Sequence, residues 1–247
     1  YNDVPALEEA MSRFGQDVAC AMIEPIAANM GVVIPDRAFL QRLRELTTQH
    51  GTVLMFDEVV TGFRLRFGGF HESLNIAPDV TVLGKIIGGG FPIGAVGGRA
   101  DLMEQLAPVG PVYHAGTFAG HPIVMAAGLA TLQTLRQQHP YERLEAMGDQ
   151  LARGLRTAAQ EAGVAVQVNQ VGSMLTVCFH ATPVRRFTDV QQADARQFAA
   201  FANSLRANGA LIPPSPFETW FLSTAQTSAQ IGRVVQCARK AYGQLTS

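Results

Sequence analysis

Charge is scarce in this 247-residue chain: charged residues make up 16%, and the formal net charge is −1. That balance excludes a general electrostatic attraction to nucleic acid or to an anionic membrane surface. No apolar run reaches membrane-spanning length, and no stretch reads as a signal peptide. Cysteine is limited to Cys20, Cys178 and Cys237, an odd number, far apart and without CxxC spacing. Reduced, structural thiols in a cytoplasmic setting are therefore expected. Repeats and low-complexity segments are also missing. What the chain does have is a hydrophobic content of 47%, enough to build one large core or two smaller ones. It opens on Tyr1-Asn2-Asp3 without Met, so a piece or a processed form of a longer polypeptide is expected.

The first half alternates short apolar runs with amphipathic stretches. Strands are predicted in 17–25, 52–59 and 79–84, and the stretch 92–107 reads as a strand entering a helix. A helix is predicted over 35–51, with Pro35 and Asp36 near its start and Gly51 after its end. Apolar strands without polar alternation, separated by helices, imply a parallel sheet covered on both faces. In the second half, helical patterns run through 122–138 and 140–162. A strand pair follows at 164–168 and 173–179, turning around Val171-Gly172-Ser173, and then helices near 190–208 and 226–245. The expected organisation is an α/β domain over 1–135 and a smaller α+β domain over 136–247.

Ligands of a parallel α/β sheet bind outside the carboxyl ends of its strands. Three polar features fall at such ends: Glu24, the pair Asp57-Glu58, and Lys85. Lys85 stands between the apolar run Val80-Thr81-Val82-Leu83 and the glycines Gly88, Gly89 and Gly90. A phosphate-loop reading fails, because GxxxxGK[ST] needs glycine in place of Asp79 and Ser or Thr in place of Ile86. A dinucleotide fingerprint fails as well, since no GxGxxG opens a helix after a strand. A snorkelling surface lysine beside helix-cap acids stays open. So does a covalent role, in which a desolvated lysine attacks an aldehyde while a nearby aspartate holds a proton on a pyridine-type ring.

The stretch "VLMFDEVVTGFR" (53–64) followed by "DVTVLGKIIGGGFPIGAVGG" (79–98) resembles the signature of the class III, fold-type I pyridoxal-phosphate aminotransferases. Within that family, "YNDVPALEEA", "EPIAANMGVVIPD", "AGTFAGHP" and "PPSPFE" are most similar to the glutamate-1-semialdehyde aminomutase branch, and the likeness runs along the whole chain. The resemblance implies a fold-type I architecture, a mainly parallel sheet flanked by helices with a smaller C-terminal α+β domain. It implies pyridoxal 5'-phosphate, cycling through pyridoxamine 5'-phosphate. Lys85 would be the Schiff-base lysine and proton shuttle, Asp57 the partner of the ring nitrogen, and Val59 the apolar support under the ring. Asn29 would bond the phenolic-oxygen side, with Glu24 shaping the pocket floor. Gly116 and Thr117 would reach the cofactor phosphate of the partner in a homodimer. Glu218, after Pro213-Pro214-Ser215-Pro216, would recognise the substrate amino group.

The implied reaction is intramolecular: (S)-4-amino-5-oxopentanoate becomes 5-aminolevulinate, the tetrapyrrole precursor. Departures from the branch gather at His114, Phe118, Ala119 and His121, and at Trp220, and they bear on substrate more than on cofactor. The branch's glycine- and serine-rich phosphate loop and its ring-stacking aromatic precede the matched part. Two other readings stand beside this one. One is an ω-aminotransferase with a separate amino donor, and the other is a non-catalytic subunit.

Overall fold

The computed structural model describes residues 1–246. The chain forms two compact units, one made of 2–25 and 35–139, the other of Tyr1, 26–34 and the chain from Pro140 onward.

In the first unit, helix α1 (Val4–Phe14) starts where the Asp3 side chain accepts from the Ala6 amide at 3.0 Å. The sequence reading leaves this helix unassigned. Strand β1 (Cys20–Ile23), helix α2 (Arg37–His50), strand β2 (Val53–Asp57), the short helix α3 (His71–Leu74) and strand β3 (Val80–Gly84) follow. α2 stops at Gly51, whose φ of +69° places it in the left-handed region. β1, β2 and β3 are parallel and adjacent, with Asp57 opposite Val82.

The fourth strand, β4 (Gly94–Gly98), is antiparallel to β3, with Leu83 opposite Ala95, so the sheet is mixed and not wholly parallel. The reason is length: residues 85–93 are too few for the crossover of a dozen or more residues that a parallel return needs. The helix expected to follow is only the turn α4 (Ala100–Met103); the long helix α5 (Pro122–Gln138) completes the unit.

The second unit contains α6 (Tyr141–Glu161), the antiparallel sheet β5 (Gln167–Val171), β6 (Met174–Cys178) and β7 (Trp220–Phe221), and helices α7 (Phe187–Gln191), α8 (Ala195–Ala207) and α9 (Ser228–Leu245). β5 starts three residues later than expected, because Gly163 at φ +69° and the Val164 amide, bonded to the Ala159 carbonyl, finish α6. The single helix expected at 190–208 is two, since Asp194 caps α8 by accepting from the amides of Arg196 (2.9 Å) and Gln197 (3.0 Å). The core gathers α6, α8 and α9 around Leu155, Phe179, Phe198, Phe201, Leu205 and Tyr242.

Residues 26–34 lie in this unit, although the sequence reading groups them with the first domain. Three bonds hold them there: the Gly31 amide donates to the Phe217 carbonyl at 2.7 Å, the Thr219 hydroxyl to the Ala28 carbonyl at 2.7 Å, and the Asn169 amide to the Val32 carbonyl at 2.8 Å. Burial, then Asp189, pushes the Cys178 thiol up to about 11, which suits an inert structural cysteine.

Candidate active site

Lys85 follows the last residue of β3 and opens a 3₁₀ turn, Lys85–Gly88. Its φ of +49° lies in the left-handed region, a conformation that costs about 1–3 kcal/mol for a side-chain-bearing residue. Packing holds the turn in place. Helix α5 approaches so closely that a Cβ on Gly128 would come 2.4 Å from the Ile87 carbonyl oxygen. Only glycine lets these two backbones meet. The side chain of Lys85 is exposed in this chain, at the carboxyl end of β3.

Asp57 ends β2, the neighbouring strand, and is half-buried. Its Oδ1 accepts the Val59 amide at 3.0 Å, which fixes the carboxylate at the strand's carboxyl end. Val59 packs towards β3: a Cβ on Gly84 would lie 3.3 Å from Val59 Cγ1. The carboxyl ends of the adjacent strands β2 and β3 therefore carry Asp57, Val59 and Lys85.

Glu58 behaves differently from its neighbour. It is fully buried, and its carboxylate is occupied by Thr61, Phe70 and His71. At the other end of the sheet, Asp79 accepts from the Leu54 amide (2.7 Å), Arg44 (2.9 Å) and Arg99 (3.2 Å). Burial alone would raise the Asp79 carboxyl, but the Leu54 amide and the two guanidiniums together hold it below its ordinary 3.8. Sequence reasoning missed both clusters, since every partner except Thr61, three residues from Glu58, is 12 to 35 residues away.

Gly116 and Thr117 lie in an exposed turn before α5, where the Gly116 carbonyl accepts the Ala119 amide at 2.9 Å. Phe118 and His121 stack beside them at 5.3 Å between ring centroids, and Tyr113 and His114 are exposed.

Asn29 and Glu218 belong to the second unit. Both side chains are exposed, on two loops joined by the Gly31–Phe217 and Thr219–Ala28 bonds. The Glu218 carbonyl accepts from the Thr176 hydroxyl at 3.2 Å, and its amide donates to the Ser215 carbonyl at 3.2 Å, so the proline-rich loop has a fixed course. Glu24, beyond β1, is half-buried in the first unit. Trp220 is buried in the core of the second, away from any surface role. Among the described residues, no group of three or more His, Cys, Asp or Glu side chains could hold a metal ion.

The profile of the family described as aminotransferase class-III matches residues 3–223. The chain belongs to the class III aminotransferases. As a member of that family it is 52% identical, over 245 residues, to the glutamate-1-semialdehyde 2,1-aminomutase of Thermomicrobium roseum, and 50% identical to that of Aquifex aeolicus. Each match covers 99% of this chain, which spans 57% and 58% of the two relatives' lengths.

Solved structures agree on the fold. An ω-transaminase from Sphaerobacter thermophilus superposes with a TM-score of 0.88 at 34% identity, covering 98% of this chain and 56% of that one. A glutamate-1-semialdehyde aminomutase from Pseudomonas aeruginosa, solved in complex with PMP, also gives 0.88, at 27% identity over 99% and 56%. The aminotransferase sheet and its helices are thus those of fold type I.

Proposed function

We propose that the polypeptide carrying this chain is a pyridoxal-phosphate-dependent aminomutase that converts (S)-4-amino-5-oxopentanoate into 5-aminolevulinate for tetrapyrrole synthesis. The observation that carries the reading is the 52% identity to an enzyme of that name over 245 residues, a span that includes Asp57, Val59 and Lys85. The residues at these strand ends suit the cofactor: an exposed primary amine for its aldehyde, a carboxylate on the adjacent strand, and a valine between them.

When bound, the cofactor carries an amine reversibly and accepts the electron pair left when a C–H proton departs. Lys85 Nζ would give a proton to one substrate carbon in one half of the cycle and take one from the other carbon in the other half, as general acid and general base. The Asp57 carboxylate, held by the Val59 amide, keeps a proton on the ring nitrogen. Val59 supports the ring through its methyl groups, and Asn29 bonds the phenolic-oxygen side. Glu218 receives the substrate amino group from its stiffened loop.

The Thr117 hydroxyl and the amides around Gly116 suit a phosphate, which in this reading belongs to the second subunit of a homodimer. The large apolar residues left exposed near them, Val109, Val112, Tyr113, Phe118 and Ile123, favour a covered face of that kind. No helix among the described residues is long and apolar enough to cross a membrane, and cytoplasmic residence follows from the biosynthetic role.

The ω-aminotransferase reading draws on the transaminase of Sphaerobacter thermophilus, which is more similar in sequence to this chain than the Pseudomonas aeruginosa aminomutase is, at an equal TM-score. One assay separates the two. The aminomutase forms 5-aminolevulinate from the semialdehyde with no added amino donor or keto acid, and strict dependence on a separate donor would make the aminotransferase reading the correct one.

A further inference from the structure

We propose that Glu58 and His71 act as positioning residues for Asp57, fixing the carboxylate that faces the cofactor ring; this rests on the reading of Asp57 as the ring-nitrogen partner.

Glu58 is 0% exposed, yet it is an acid next to a strand-end aspartate. A buried carboxylate without partners is costly, and this one is saturated. Its Oε2 accepts from the Thr61 hydroxyl at 3.1 Å and the Phe70 amide at 2.5 Å, and its Oε1 from the His71 amide at 3.1 Å and His71 Nδ1 at 2.7 Å. A carboxylate only accepts, so His71 carries its proton on Nδ1. These bonds bolt the two ends of the loop 58–71 together. The Glu58 amide also donates to the Val82 carbonyl at 2.9 Å, carrying the β2–β3 ladder one residue past Asp57.

The link to the chemistry is one peptide unit. The N–H accepted by Asp57 Oδ1 belongs to the peptide between Glu58 and Val59. Rotating the Glu58 side chain or loosening its loop tilts that peptide and re-aims both Asp57 and Val59. Local packing alone would be served by an apolar residue at 58. The charge, its four donors and its place beside Asp57 point to orientation as the purpose.

The test uses the complete polypeptide in its cofactor-free form, titrated with pyridoxal 5'-phosphate and followed by the visible absorbance band and its pH midpoint. His71→Leu removes a donor to Glu58 and is expected to raise the cofactor Kd about tenfold, the scale of one hydrogen bond to a charged group, and to shift the pH midpoint. His71→Gln restores an N–H donor and is expected to stay within about twofold of the unsubstituted protein. Thr61→Val, a second route to the same carboxylate, is expected to fall between them and decides the matter should His71→Leu not fold.

Unchanged Kd and pH midpoint in Thr61→Val and in any folded His71→Leu overturn the proposal, even where melting temperatures drop, because the network is then merely structural. Asp57→Asn serves as the separating control. If it too binds the cofactor as the unsubstituted protein does, or if the latter binds none, the parent reading of Asp57 fails and the positioning role with it.

Discussion

Two five-residue strands of this chain have opposite fates. Met174–Cys178 is buried at every position, and Gly94–Gly98 is exposed at every position. The first is the middle strand of its sheet, under a core built from α6, α8 and α9. The second is the outermost strand of its sheet among the described residues, with three glycines, an alanine and a valine. Burial here follows position in the sheet, and composition adapts to it. The same contrast recurs elsewhere in the chain. The core under α6, α8 and α9 buries Phe198, Phe201 and Leu205, whereas the segment before α5 leaves Tyr113 at 85% and Val109 at 79% exposure; the second unit has its own exposed apolar residue in Leu211, at 86%. The unit of 2–25 and 35–139 carries Lys85 and Asp57, and the other carries Glu218.

The contrast breaks most visibly at Lys85. Lys85→Ala is expected to lower 5-aminolevulinate formation by about 10²–10⁴-fold, the range of a lost general acid–base group, while melting stays within a degree or two of the unsubstituted protein because the side chain is exposed.

In the core of the second unit the expectation reverses. Phe201 is fully buried, 4.6 Å from the Tyr242 ring centroid, and Phe201→Ala is expected to cost about 3–5 kcal/mol in denaturant unfolding.

Asp79 gives an intermediate case that depends on pH. Its native carboxyl is held below its ordinary value, so its contribution is present above about pH 4 and disappears as pH falls through the native value. Asp79→Asn is therefore expected to cost about 1–3 kcal/mol near pH 7, with the gap to the unsubstituted protein narrowing as pH falls below the ordinary carboxylate value in pH-dependent melts.

The smallest effect belongs to the exposed apolar surface: Val109→Ser is expected to change unfolding free energy by no more than about 0.5 kcal/mol. A cost of several kcal/mol there, growing with protein concentration, would mean that the surface is covered in an assembly.

How far the sequence was legible follows from the range of the interactions. Strands β1 to β3 and helices α2, α5, α6 and α9 are written in local periodicity, so their existence is readable and only their ends drift. The direction of β4 depends on the length of one connection, which periodicity does not encode. The membership of 26–34 in the second unit depends on bonds to Asn169, Phe217 and Thr219, more than 130 residues away, and no local pattern announces them. At the site, Asp57 and Lys85 are legible as polar residues ending apolar strands. The roles of Glu58 and His71 are not, because "DEV" gives no sign that one acid faces outward while the next turns into the protein.

The most direct test is reductive trapping. The complete polypeptide is loaded with pyridoxal 5'-phosphate, treated with borohydride, digested, and its peptides are weighed. This chain has two lysines, Lys85 and Lys240. The expected result is a cofactor-sized mass increase on the peptide containing Lys85, lost in Lys85→Ala. A modification on Lys240 instead, or none on either peptide, would contradict the assignment of Lys85 as the reactive amine.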